Sequence, residues 1–326
     1  MKSKLFVGLL CLGLLLVTLA GCRAAEEPVV EPEEQATDRI INIGVLHGPT
    51  GMGIVQLMND QNYNIEVVGS PDDLIGKIVT GAIDIAAVPS NLAAALYQRT
   101  ERQIQLLAIN TLGVIYILED GENVTSIADL EGRTLYVSGK GTTPDFVIQY
   151  LLKEYGLEPG RDVIIDYFTQ HADLAAIMVA GRHDLALLPQ PFVTTVLMGN
   201  TNLRVALDLT EEWRNVLGTD LPMGVIIGQK EFILENEAAL LTFLEKYEQS
   251  INFVNTNIPE AAALIAEHGI LPNAQIAERA IPYSNIVFIS ATAGKPLLDD
   301  FYNVLYNFNP QFIGGEIPDD EFYFLR

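Results

Sequence analysis

Two short loops in this sequence carry residue types suited to holding a small polar molecule. His47-Gly48-Pro49-Thr50-Gly51-Met52 and Ser138-Gly139-Lys140-Gly141-Thr142-Thr143 each follow an apolar run and precede a stretch of helical periodicity. Glycines let the main chain approach a ligand closely, and N–H groups at a helix start bind anionic or polar groups. Thr50, Thr142 and Thr143 add hydroxyls, Lys140 a cation, and His47 a ring that donates or accepts. Gly51 and Met52 complete the first loop. Each loop also has a plainer reading, as a tight turn with a solvated lysine. Further candidates stand at other strand ends: Ser90 and Asn91 after Pro89, and Gln190 before Pro191. Asn110 and Thr111 precede an extended run and serve either a hinge or a ligand. Met223 and Tyr283 are the remaining ligand-binding candidates.

No constellation suggests catalysis. The chain has no Gly-x-Ser-x-Gly elbow, and Gly139-Lys140-Gly141-Thr142-Thr143 lacks the upstream glycine of a Walker loop. The expectation is that the protein is not an enzyme and has no cofactor. His47, His171, His183 and His268 form no metal-spaced pair, so no metal site is expected. His171 and His183 fall at a helix start and in a turn, where solvent is the usual partner. Asp84 and Asp184 read as turn residues. A formal charge of −23 argues against nucleic acid, which needs a basic footprint.

The elements that must position these loops are announced by a repeat. Asp73, Leu74, Val79, Gly81, Asp84, Ala86 and Pro89 recur 100 positions later as Asp173, Leu174, Val179, Gly181, Asp184, Ala186 and Pro189. Each copy predicts a helix with an apolar face (Leu74, Ile78, Val79; Leu174, Met178, Val179), a glycine stop and a short apolar strand. Ser70, Pro71 and Asp73 suit an N-cap, N1 and N3. Upstream of each copy, a strand (Ile40 to Leu46; Thr134 to Val137) runs into one of the two loops and then a helix, with Thr143 a candidate N-cap. Another strand lies between loop and repeat, at Ile65 to Val68 and at Val163 to Phe168. Continuous apolar strands alternating with helices predict an α/β fold with mainly parallel sheets flanked by helices. Ligands of such sheets sit beyond the carboxyl ends of the strands, which is where both loops fall.

Two lobes facing each other would bring the loops into one cleft. Lobe one is expected over 39–115 plus 222–326, and lobe two over 116–221. The extended runs Leu112 to Leu118 and Met223 to Gly228 would be the two crossings between them. Helices at about 230–256, 259–268 and 274–280 should pack back onto lobe one.

The start of the chain addresses it. Lys2 and Lys4 precede an apolar run from Leu5 to Ala20, too short for the ~18 residues of a span, and then Leu19-Ala20-Gly21-Cys22. This ending resembles the lipobox of bacterial lipoproteins, which implies a signal peptide at 1–21 and a lipid on Cys22. Cys11 would leave with the signal, so no disulfide is expected. Residues 22–38, rich in Glu and Pro, read as an acidic disordered linker.

The repeat, the phrase Ile127-Ala128-Asp129-Leu130-Glu131-Gly132-Arg133-Thr134-Leu135, the run Gly81-Ala82-Ile83-Asp84-Ile85-Ala86 and Leu187-Leu188-Pro189-Gln190-Pro191-Phe192 together resemble the type-II periplasmic binding proteins of ABC importers. Within them the chain resembles the branch serving sulfonates, nitrate and thiamine-pyrimidine precursors. The resemblance covers roughly 39–326. It implies a monomer that captures a small molecule between two lobes by hinge closure and delivers it to an ABC permease. The ligand would be a sulfonate, another small oxyanion or a heterocyclic vitamin precursor. The protein would be extracytoplasmic and lipid-anchored to the cell membrane, in the periplasm or at the cell surface. Family members more usually carry an acid where Gln190 stands. Two other readings are a ligand-sensor lipoprotein and an enzyme of cofactor biosynthesis on the same fold.

Overall fold

The structure, a computed structural model, describes residues 39–326. The expected signal peptide, the acidic linker and Cys22 lie outside the described residues. Apolar, β-branched runs form strands, and the glycine-stopped amphipathic stretches between them form helices. In chain order the first elements are β1 (Ile41–Leu46), α1 (Pro49–Met52), β2 (Tyr63–Val68), α2 (Pro71–Val79), β3 (Ile85–Pro89), α3 (Ser90–Arg99) and β4 (Ile104–Thr111). Next come β5 (Ile115–Asp120), β6 (Thr134–Ser138), α4 (Thr143–Glu154), β7 (Ile164–Phe168), α5 (His171–Val179), β8 (Leu185–Pro189), α6 (Phe192–Gly199), β9 (Leu203–Asp208) and α7 (Leu209–Leu217). The last are β10 (Gly224–Gln229), α8 (Lys230–Glu235), α9 (Glu237–Thr256), α10 (Ile258–Glu267), α11 (Ala274–Ala280), β11 (Ile286–Ser290) and α12 (Ala291–Phe308).

The strands make two mixed sheets. Their orders are β2-β1-β3-β10-β4-β11 and β7-β6-β8-β5-β9. The first three strands of each are parallel, and β10 and β5 run antiparallel to their neighbours. The two orders match position by position: β2 with β7, β1 with β6, β3 with β8, β10 with β5 and β4 with β9. In both sheets the fourth place is filled by a strand that the chain enters directly after passing from one sheet to the other. That arrangement requires two passages, at 112–114 and before Gly224.

The repeat folds as two equivalent units. Gly81 and Gly181 both adopt the left-handed conformation, with φ 70° and 64°, that ends a helix at C′. Leu74 and Ile78 are buried, as are Leu174 and Met178. Val79 and Val179, expected on the same face, are 45% and 37% exposed. Each follows its buried neighbour by one residue, a rotation of about 100° that carries it off the sheet-facing stripe. The stretch after the first loop is not a long helix: one turn, α1, gives way to a 3-10 turn at Val55–Asn59. The N-cap of α4 is Thr142, not Thr143, and the Thr142 hydroxyl donates to the Gly139 carbonyl instead of capping.

The start of the phrase Ile127 to Leu135, with Ser126 before it, has a local physical reason. Asp129 accepts from the Ser126 main-chain N–H at 2.9 Å, closing a capping box before β6. At the other end of the chain, α12 packs against elements of both sheets. Phe301, Phe308 and Phe312 surround Phe146 of α4 at ring-centroid distances of 6.4, 5.1 and 5.6 Å, and Trp213 of α7 lies 5.8 Å from Phe301. One hydrophobic core therefore runs through β3, β4, β5, β6, β8 and α12.

Candidate functional site

The carboxyl ends of β1, β3, β6 and β8 converge, and the loops leaving them touch across the seam between the sheets. Thr143 of α4 donates to Asn91 Oδ1 of α3 at 3.0 Å. Pro191, after β8, approaches Gly48, after β1, so closely that a Cβ on Gly48 would lie 3.7 Å from Pro191 Cδ. Tyr116 of β5 donates to the Tyr283 carbonyl at 3.1 Å. These contacts join residues 52, 143 and 167 positions apart in the chain.

In the first loop, His47 is exposed and its Nδ1 lies 3.4 Å from the Ile270 carbonyl. Thr50 is half-buried, and its carbonyl accepts from Asn110 Nδ2 at 2.9 Å. Gly51 and Met52 face inward. A Cβ at Gly51 would collide with the Leu46 carbonyl, and Met52 is wholly buried in the core. The single turn of α1 packs Gly51 against the end of β1 and buries Met52.

The strand-end and hinge candidates are engaged within the chain. Ser90 is buried; its hydroxyl donates to the Pro222 carbonyl at 2.7 Å and its N–H to the Met223 carbonyl at 3.0 Å. Asn110 also donates to the Tyr247 hydroxyl at 3.0 Å, and Thr111 donates to Asn110 Oδ1 at 3.2 Å. Met223 donates to the Thr111 carbonyl at 2.9 Å. Asn110, Thr111, Ser90 and Met223 thus knit the two passages together. Asn91 is used twice, accepting from Thr143 and donating to the Phe312 carbonyl at 3.4 Å. Gln190 is buried and its Oε1 accepts from the Thr194 hydroxyl at 2.8 Å and N–H at 3.3 Å. Tyr283 is 58% exposed at the seam.

Lys140 and Thr142 are exposed on the second loop. Lys140 Nζ stands 4.8 Å above the Tyr167 ring, a cation–π contact. Sequence reasoning missed the neighbours that shape this loop. Asp145 is buried and accepts from Gly141 N–H at 2.8 Å, the Tyr167 hydroxyl at 2.6 Å and Gln149 at 2.8 Å. Burial and the adjacent Asp145 push the Tyr167 phenol up. His171, expected to face solvent, is partly buried, and its Nδ1 shares a 2.5 Å hydrogen bond with the buried Ser138 hydroxyl. Its ring centroid lies 5.4 Å from that of Phe192. Burial lowers its pKa to about 4, so the imidazole is neutral near pH 7. The signal for His171 was its position at a helix start beyond a parallel strand. The signal for Asp145 was an acid two residues after Thr143, in the first turn of α4. His183 stacks on Tyr136 with ring centroids 3.6 Å apart. Among the described residues, no group of three or more His, Cys, Asp or Glu is placed to hold a metal ion.

A family model described as menaquinone biosynthesis matches residues 51–290. The chain belongs to that family. Among solved structures, an ABC transporter from Parabacteroides distasonis shares this family member's fold with a TM-score of 0.75 and 26% identity, over 88% of this chain and 99% of that one. The periplasmic aliphatic sulphonate binding protein of Escherichia coli aligns with a TM-score of 0.67 and 17% identity, over 85% and 94% of the two chains. The periplasmic nitrate-binding protein of Synechocystis PCC 6803 aligns with a TM-score of 0.54 and 14% identity, over 77% and 69%. No curated protein matches this menaquinone-biosynthesis family member. The fold is that of the two-lobed periplasmic binding proteins of ABC importers.

Proposed function

We propose that the protein is the solute-binding component of an ABC importer, holding a small molecule between its two sheets and delivering it to a membrane permease. The observation that carries this reading is the meeting of strand-end loops from two equivalent units at one seam, with Thr143 on Asn91 and Pro191 beside Gly48. A ligand bridging the two units stabilises the closed arrangement through contacts that the open one lacks. The similarity to the Parabacteroides distasonis ABC transporter over nearly its whole length supports the same reading. His47, Thr50, Lys140, Thr142, Gln190 and Tyr283 are the candidates we place along the seam, joined by His171 and Ser138. We further propose that the protein works outside the cytoplasm as a monomer, anchored by a lipid on Cys22. Cys22→Ser should then release it from the membrane fraction of cells.

A second reading, an enzyme of cofactor biosynthesis on the same fold, is favoured by the description of the family model. One experiment separates the two. The compact unit over residues 39–326 is screened by thermal shift, since a ligand of the folded state alone raises Tm. Each hit is then recovered and weighed by mass spectrometry. Stoichiometric binding with the compound unchanged supports the solute-binding reading, and conversion of the compound sinks it.

A further inference from the structure

The second loop has the outline of an oxyanion site: glycines, two threonine hydroxyls, a lysine and the start of a twelve-residue helix. Its details oppose that use. The Gly141 N–H points to Asp145, whose buried carboxylate sits in the first turn of α4. Asp145 is held by N–H and O–H donors alone; among the described residues it forms no ion pair with Lys, Arg or His. A buried carboxylate that no cation pairs with repels a second negative charge, because low local polarity screens it poorly. Lys140 is turned outward over Tyr167. The Thr142 hydroxyl is bound to Gly139, and at the start of α6 the Thr194 N–H is bound to Gln190 Oε1.

Lys140 apart, what the second unit presents at the seam is uncharged and aromatic. His171 lies against Phe192, tied to Ser138 through Nδ1, so that Nε2 is the nitrogen left to a ligand. Tyr283 is exposed on the facing side, and among the described residues the Gln190 amide nitrogen has no hydrogen-bond partner. We infer that the ligand is an uncharged, flat heterocycle or aromatic amide, read by His171 and Gln190 and stacked near Phe192, and that Asp145 turns small oxyanions away from this site. This rests on the solute-binding reading and names the class of solute.

The test uses the same compact unit and a panel of small compounds in which the aromatic members are matched in shape and differ in the charge and hydrogen-bonding of one group. Nicotinamide is paired with nicotinate and benzamide with benzoate, with benzamidine as the cationic counterpart and nitrate and ethanesulfonate as bare oxyanions. Affinity is read by titration calorimetry. At least one amide should bind with an affinity ten or more times that of its carboxylate. Equal or tighter binding of a carboxylate, nitrate or ethanesulfonate overturns the inference, as does binding of benzamidine alone. A folded protein that binds no member of the panel counts instead against the solute-binding reading beneath it. Asp145→Asn keeps an acceptor for Gly141 N–H and removes the charge. It should narrow the amide-over-carboxylate preference by about tenfold, and an unchanged preference overturns the role given to Asp145.

Discussion

Lowering the pH should unload one proton-linked part of this protein's stability, and His171 is the residue responsible. An imidazole free in water titrates near 6.5, whereas burial in the second unit pushes His171 down to about 4, with no charged neighbour contributing. Above 6.5 the group is neutral in both folded and unfolded chains. Between 6.5 and about 4 the unfolded chain takes up a proton that the folded chain refuses, so stability falls as pH falls. The loss is complete near pH 4. Each pKa unit is worth about 1.4 kcal/mol, so the full loss is about 3 kcal/mol. The perturbation is His171→Gln, which keeps a polar partner for Ser138 and does not titrate. The assay is urea unfolding of both proteins at intervals from about pH 7.5 to about pH 4. Carboxylates contribute to both curves and cancel in the difference. These include Asp208, raised by burial, and Asp162, held at about 2 by Arg161. The wild type should lose about 3 kcal/mol relative to the variant over this range. A difference that stays flat, or runs the other way, refutes the claim that the ring is desolvated beside Ser138 and Phe192.

The other predictions concern the seam between the two sheets. Phe146→Ala removes a fully buried ring at the centre of the aromatic cluster that joins α4 to α12, and should cost about 3–5 kcal/mol in chemical unfolding. A loss below about 1 kcal/mol would show that the cluster is not close-packed. Thr143→Ala deletes the hydrogen bond to Asn91 at 3.0 Å, worth about 1 kcal/mol, and should shift the open-to-closed ratio about fivefold. Small-angle scattering would report this as a larger mean radius, and an identical curve would mean that the contact does not hold the two units together.

Much of the fold was legible because its signals are local. The apolar runs at Ile41–Leu46 and Leu185–Pro189 needed no knowledge of their neighbours to be read as buried strands. The glycines at 81 and 181 stop their helices through their own φ. The helices expected at about 259–268 and 274–280 form at Ile258–Glu267 and Ala274–Ala280, whereas the one expected over 230–256 is broken at Asn236 into Lys230–Glu235 and Glu237–Thr256. The site was less legible. Ser90 and Asn110 have the polar chemistry of ligand contacts, yet they hold Pro222 and Thr50. Whether a polar side chain serves the protein or a ligand depends on partners far away in the chain, 132 positions for Ser90 and 221 for Asn91.

By itself, then, the sequence determined the alternation of strands and helices, the doubled unit and the placing of the loops at strand ends, since these follow from side-chain periodicity and backbone preference within a few residues. Only the tertiary structure decided what the loops contain. Asp145 became a buried charge at the start of α4 because Tyr167 and Gln149 close over it. His171 became a neutral ring because Phe192 and Ser138 exclude water from it. Ionisation and hydrogen-bonding capacity are set by the medium around a group, and that medium is assembled from segments distant in the chain.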